Sequence, residues 1–85
     1  MIVTKVIQAK DQLRRYVRGE MKKGHHVELE YDERTETWLA LGWINMETSW
    51  PSSIIEDPCP TISVNTLIAE MDELNDALAY YEGCF

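Results

Sequence analysis

The sequence predicts a small α+β domain in which two amphipathic helices pack on an antiparallel sheet. Three patterns predict it. Apolar residues from Ile2 to Tyr16 step by four and three, "VELEY" alternates with period two before a polar turn, and a second four-three stripe runs from Leu67 to Tyr81. Runs of alternating period between two helical stripes favour helices laid on one face of a sheet.

The first element is a basic amphipathic helix assigned to residues 1–24. Ile2, Val6, Ala9, Leu13 and Tyr16 form its stripe, widened by Ile7, Val17 and Met21. Thr4 is a candidate cap, and Gly24 ends the helix after two lysines that suit a C-terminus. The β-branched "IVTKVI" supports a rival reading as a short strand, with Asp11 capping a shorter helix.

A β-hairpin is assigned to residues 25–44. Val27, Leu29 and Tyr31 alternate with His26, Glu28 and Glu30, "DERT" turns, and "ETWLALGWI" returns. On the returning strand Leu39, Leu41 and Trp43 share one side, opposite Trp38 and Ala40. Residues 45–62 hold Pro51, Pro58 and Pro60 and read as a loop, with room for a short third strand around "SSIIE". The last element is an acidic amphipathic helix over 63–83, starting at Ser63 or Asn65. Leu67, Met71, Leu74, Leu78 and Tyr81 form its stripe, with Ile68 and Ala77 alongside and Gly83 as its end.

Length and composition fit one domain of 85 residues, 45% hydrophobic, with three tryptophans for a core. An opening methionine without a tag leads one to expect a whole gene product, and the first twenty residues lack the apolar run of a signal peptide or membrane span. The expectation is a soluble cytoplasmic protein with no membrane partner. Cys59 and Cys84 match no zinc spacing and are expected as free thiols.

Charge is distributed unevenly. Residues 1–24 hold seven of the eight basic residues against Asp11 and Glu20, a net of +5. Residues 25–85 hold Arg34 alone against thirteen carboxylates, a net of −12. Such asymmetry speaks to partners and steering.

Four constellations are candidates for function. His26, Glu28 and Glu30 project at every second residue, a spacing that suits zinc or manganese, but no further ligand cluster accompanies them, so no metal or cofactor is expected. No phosphate loop, nucleophile elbow or H-E-x-x-H occurs, and Cys59 has no positive neighbour in sequence, so no enzyme is expected. A basic helix face of Arg14, Arg15, Arg18 and Lys22 could track phosphates, although the −12 of the remainder repels polyanions and argues against nucleic acid. The acidic surface is the strongest signal: Glu28, Glu30 and Asp32 on a strand, Glu33 and Glu36 through the turn, and Trp38 read as sharing their face. A rigid aromatic anchor among steering charges suits a protein interface. Trp38 packed on its own core is the structural alternative. The helix carboxylates Glu70, Asp72, Glu73 and Asp76 would extend the anionic field, and spaced carboxylates can mimic phosphates. The four-three stripe of the last helix could also join two copies as a homodimer.

"VELEYDERTETWLAL" followed by "TLIAEMDELNDAL" resembles HicB-type antitoxins, in which two strands joined by an acidic turn precede a helix. The leading basic helix and the long proline-containing loop depart from that pattern, and no functional residue carries over. The helix–strands–helix order is also similar to double-stranded-RNA-binding domains, whose basic second helix is acidic here. The function expected is therefore a small non-enzymatic inhibitor or regulator that docks on a basic, nucleic-acid-binding surface of a larger protein, of the anti-CRISPR or anti-restriction kind. The alternative is an antitoxin-like or nucleic-acid-binding regulator using the basic helix; a metal-dependent activity at His26 and Glu28 ranks behind both.

Overall fold

A computed structural model describes residues 2–19, 25–44 and 49–83, without the side chains of Ile2 and of 79–83. The elements run α1 (Ile2–Arg18), β1 (His26–Asp32), β2 (Thr37–Trp43), β3 (Ser53–Asp57) and α2 (Pro60–Gly83). The three strands form one antiparallel sheet in the order β1-β2-β3. This is an α+β domain, as the sequence predicts, and "SSIIE" does supply the third strand.

"IVTKVI" is helical: Val6 is partly buried one turn before the buried Ala9 and Leu13, and tertiary burial outweighs β-propensity here. Ala9, Leu13 and Tyr16 are buried, whereas Ile7 and Val17, read as widening the stripe, are exposed. Thr4 lies inside the first turn and is not the cap. The helix stops at Arg18, not Gly24: Gly19 donates its N–H to the Tyr16 carbonyl at 3.2 Å, a tightened final turn. Met21, Lys22 and Gly24 lie outside the described residues, as does Cys84.

The hairpin turns through 33–36. Asp32 Oδ1 accepts the Arg34 N–H at 3.0 Å, and Glu36 adopts a left-handed φ of 55°. α2 starts earlier than Ser63. The Cys59 carbonyl accepts the Ser63 N–H at 3.1 Å, which makes Cys59 the cap and Pro60 the first helical residue. Proline there forgoes only a donor that would have had no partner. The buried Ser63 hydroxyl donates to the Trp38 carbonyl at 2.9 Å and so ties the start of α2 to β2.

Both helices pack on the same face of the sheet, α2 against β2 and β3 and α1 against α2 and β1. Ala9, Leu13, Tyr16, Ala40, Val64, Leu67 and Met71 form the core, with Val27, Leu29, Ile44, Ile55 and Ile68 packed around it. His25 is buried beside Tyr16, whose hydroxyl lies 3.3 Å from His25 Nδ1. Burial pushes the Tyr16 phenol up from its ordinary pKa. At about 1.5 Å per residue, the 24 residues of α2 outrun the sheet, and Leu74 and Leu78 emerge exposed. Among the described residues, no helix is long and apolar enough to cross a membrane.

Candidate protein-docking face

Directly paired residues of an antiparallel sheet project to the same side, so the register assigns every strand residue to a face. Val27↔Gly42, Leu29↔Ala40 and Tyr31↔Trp38, continued by Ala40↔Ile55 and Trp38↔Asp57, define the side under the helices. Glu28↔Leu41, Glu30↔Leu39 and His26↔Trp43, continued by Leu41↔Ile54 and Leu39↔Glu56, define the other side.

This corrects the expected contact set. Trp38 does not share a face with Glu28, Glu30 and Asp32. It faces the helices, its ring 5.0 Å from that of Tyr31, and it lines a small cleft with Lys5, Pro58, Cys59 and Pro60. Trp38 packs against its own fold. The tryptophan among the carboxylates is Trp43, tilted against His26 with ring centroids 5.2 Å apart. Strict alternation along "TWLALGW" required that outcome once Glu28 was set opposite Leu41.

The side away from the helices is thus an open sheet face with a built pattern. Leu39, Leu41 and Trp43 run down its centre, all partly exposed, and Ile54 is 56% exposed beside them. Glu28 and Glu30 border this strip on β1 and Glu56 borders it on β3. Glu28 Oε1 lies 3.2 Å from His26 Nε2, and the Thr37 hydroxyl donates to Glu56 Oε1 at 2.8 Å. The alternation of β2 places Leu39, Leu41 and Trp43 on one side, but no pattern in the sequence assigns them, Glu56 or Ile54 a functional role.

Among the described residues, the remaining sequence candidates lie at the turn or on the helices. Asp32 is occupied by the turn: besides the Arg34 N–H, its carboxylate lies 3.7 Å from Arg34 Nε. Glu33 and Glu36 are exposed at the turn, off the end of the strip. Glu70 and Glu73 flank β3 together, with Glu70 accepting from the Ser53 hydroxyl. By the helix's roughly 100° per residue, Asp72, Asp76, Glu73 and Glu70 fall within one arc of about 160°, with Asp76 one turn from both Asp72 and Glu73. α2 packs on the side of the sheet opposite Glu28 and Glu30, so its carboxylates do not lie on the open face with them. On α1, Arg14 and Arg18 border one groove with Lys10, while Arg15 borders another with Gln8, Asp11 and Gln12. Arg14 Nη1 lies 3.5 Å from Asp11, both exposed; Lys22 lies outside the described residues. By roughly 100° per residue, Arg14, Arg18 and Arg15 fall within about 100° of one another, so these three exposed cations share one side of α1.

His26 and Glu28 do meet, but among the described residues no group of three His, Cys, Asp or Glu side chains could hold a metal ion. The Cys59 thiol is held below the ordinary thiol range chiefly by the Ile62 backbone N–H at the start of α2, aided by the Thr61 N–H and Lys5. Partial burial and Asp57 oppose that shift. Lys5 is the positive neighbour that proximity in sequence could not reveal. No family model matches the chain, and neither does any curated protein or solved structure at a significant level.

Proposed function

We propose that the chain is a non-enzymatic protein-binding module whose open sheet face docks on a basic, partly apolar surface of a larger protein. One observation carries the reading: Leu39, Leu41, Trp43 and Ile54 form a continuous apolar strip between Glu28 and Glu30 on one side and Glu56 on the other, on the face opposite the helices. An apolar centre inside a charged rim is the anatomy of an interface, with the aromatic slowing dissociation and the carboxylates steering approach. The partner's surface would be of the kind that holds nucleic acid, and the class of molecule is the small inhibitor with which phages and mobile elements block defence nucleases. That assignment rests on size and on the net charge of −7. The cytoplasm is the compartment proposed, where the free Cys59 thiol would stay reduced.

The test is affinity capture from the source organism's lysate with wild-type chain and with the variant Leu41→Lys. Proteins captured by the first and lost with the second are the partners. In kinetics with such a partner, Glu28→Lys/Glu30→Lys should lower kon by roughly tenfold at low salt, with the loss shrinking as salt rises. Capture of the same proteins by wild type and variant alike would sink the open-face reading. A gel shift that depends on Arg14 and Arg18 would favour the nucleic-acid alternative.

A further inference from the structure

β1 lies at one edge of the sheet, with β2 as its only strand neighbour among the described residues. Its seven residues pair with β2 in unbroken register, without a bulge or a proline. β3, at the opposite edge, is five residues long and bracketed by Pro51 and Pro58. An unpaired edge is a template for another strand, and proteins guard such edges by shortening them or placing proline nearby. β3 carries those guards and β1 does not.

A groove of about 600 Å³ runs between this edge and α1. Its apolar lining comes from Leu13 and Val17 on the helix and Val27 and Leu29 on the strand. Lys10, Arg14 and Arg18 stand on the helix side, and Glu28 and Glu30 on the strand side. α1 also carries a second four-three stripe beside its core stripe: Val3, Ile7, Lys10, Arg14 and Val17. Val3 is 71% exposed and Ile7 55%, so this stripe presents apolar and cationic groups that the fold itself does not cover.

We infer that the groove takes an extended peptide segment, apolar residues alternating with lysine or arginine, which pairs with the outer edge of β1 as a fourth strand. This rests on the reading of the chain as a protein-binding module and specifies which part of a partner it holds. An added strand sends alternate side chains to the two faces of the sheet. Those on the helix side enter the groove and meet Val17, Val27 and Leu29. Those on the other side emerge beside Glu28 and Glu30 on the open face, where cations are favoured. Lys10, Arg14 and Arg18 repel cations from the helix side. The two opposed rims thus fix which way the strand faces, a choice that a uniformly apolar groove leaves undetermined. The same charges disfavour a second copy of this chain, because β1 against β1 sets Glu28 and Glu30 beside another acidic row. Seven residues of pairing span roughly 23 Å.

The probe is a synthetic eight-residue peptide alternating valine or threonine with lysine, compared with a peptide of the same composition in an apolar block and a lysine block. Both are titrated into the isotope-labelled chain and followed by amide shifts and calorimetry. The alternating peptide should bind saturably, with shifts over 27–30 and at Leu13 and Val17, and the block peptide should bind roughly tenfold more weakly or worse. Two further peptides, methylated on odd or on even backbone amides, decide whether the edge is used. Only alternate amides of an added strand point at β1, so one should lose binding and the other keep it. Val17→Asp should also abolish binding, with circular dichroism to check its fold, while Thr66→Lys at an exposed position on α2 should leave it unchanged. The methylated pair uses wild-type chain and stands whether or not Val17→Asp folds. Equal binding of the alternating and block peptides, equal loss in the two methylated peptides, or shifts confined to Leu39, Leu41 and Ile54 would overturn the inference. If the peptide fails while capture of a partner still depends on Leu41, edge pairing falls and open-face docking stands; if the peptide binds while capture ignores Leu41, the reverse holds.

Discussion

Gly42→Ala tests how closely α2 is seated on the sheet. Gly42 is buried in β2 beneath that helix, between Val27 and Ser53 in the paired strands. A Cβ at this position would lie 2.2 Å from Met71 Sδ, 3.2 Å from Met71 Cγ and 3.1 Å from Leu67 Cδ1. Ordinary contact begins near 3.4 Å, so the sulfur must retreat by about 1.2 Å. Met71 and Leu67 are themselves fully buried, which leaves two responses. Either Met71 leaves its rotamer, at about 0.5–1.5 kcal/mol, or the helix lifts and the core opens. One added carbon in a packed core costs about 1–3 kcal/mol, against a total stability of roughly 4–13 kcal/mol for a chain of this length. Gly42→Ala should therefore fold, with a lower urea midpoint and an unchanged denaturant slope. Met71→Ala alone should cost about 2–5 kcal/mol through the cavity it leaves. In that background the space is vacant, and Gly42→Ala should cost less than about 0.5 kcal/mol, a coupling of roughly 1–2 kcal/mol. Urea unfolding of the four proteins followed by circular dichroism measures this cycle. Equal cost of Gly42→Ala in both backgrounds would refute the claim that Met71 makes glycine necessary here.

Other predictions follow from local geometry. Ile54→Lys, on the open face, should change stability by no more than about 0.5 kcal/mol, whereas Ile55→Lys, against the core, should cost several times that; the opposite order of urea midpoints would invert the assignment of sheet faces. Glu36 holds a φ of 55°, a conformation that costs an L residue about 1–2 kcal/mol. Glu36→Gly should therefore raise the thermal midpoint despite the added flexibility of the unfolded chain, and a lower midpoint would refute strain at that turn. Iodoacetamide alkylation of Cys59 in the folded chain should reach half its limiting rate at a lower pH than in urea, because the Ile62 N–H favours the thiolate. By linkage this contribution to stability is full above the unfolded thiol pKa and is lost as pH falls through the depressed folded value. Coincident alkylation profiles in the two states would contradict the capping geometry.

Much of the fold was legible because each element shows its period. The stripes of both helices and the alternation of the hairpin place Ala9, Leu13, Tyr16, Leu67 and Met71 in the core and Val27 and Leu29 against it. Boundaries were less legible. Pro60 reads as a loop residue until the Cys59 carbonyl is seen accepting the first helical bond, and Gly24 looks as good a stop as Gly19. The candidate site was legible in half: alternation puts Glu28 and Glu30 outward, but which tryptophan joins them depends on the register between two strands. A shift by one residue would exchange Trp38 for Trp43. The turn length decides that register, and a four-residue turn closed by left-handed Glu36 is not specified by "DERTET" alone. Glu56 and Lys5 were out of reach for the same reason. Their neighbours come from strand and helix pairings that no local pattern encodes.

The charge asymmetry also changes meaning on folding. Along the chain, +5 is followed by −12, which suggests a basic pole and an acidic pole. In the fold, α1 lies over β1, and Lys10, Arg14 and Arg18 face Glu28 and Glu30 across one groove. Opposite charges at that separation largely cancel beyond a Debye length of about 8 Å, so a distant partner senses little of the basic helix. What remains at long range is the net −7, with Glu28, Glu30 and Glu56 beside the open face. Within contact distance the cancellation ends, and the groove presents a sharp gradient from cationic helix to anionic strand. Attraction and orientation therefore come from different parts of one charge distribution. The net charge draws a basic surface toward the domain, and the opposed rims select, among the segments that arrive, the one whose cations all point to one side.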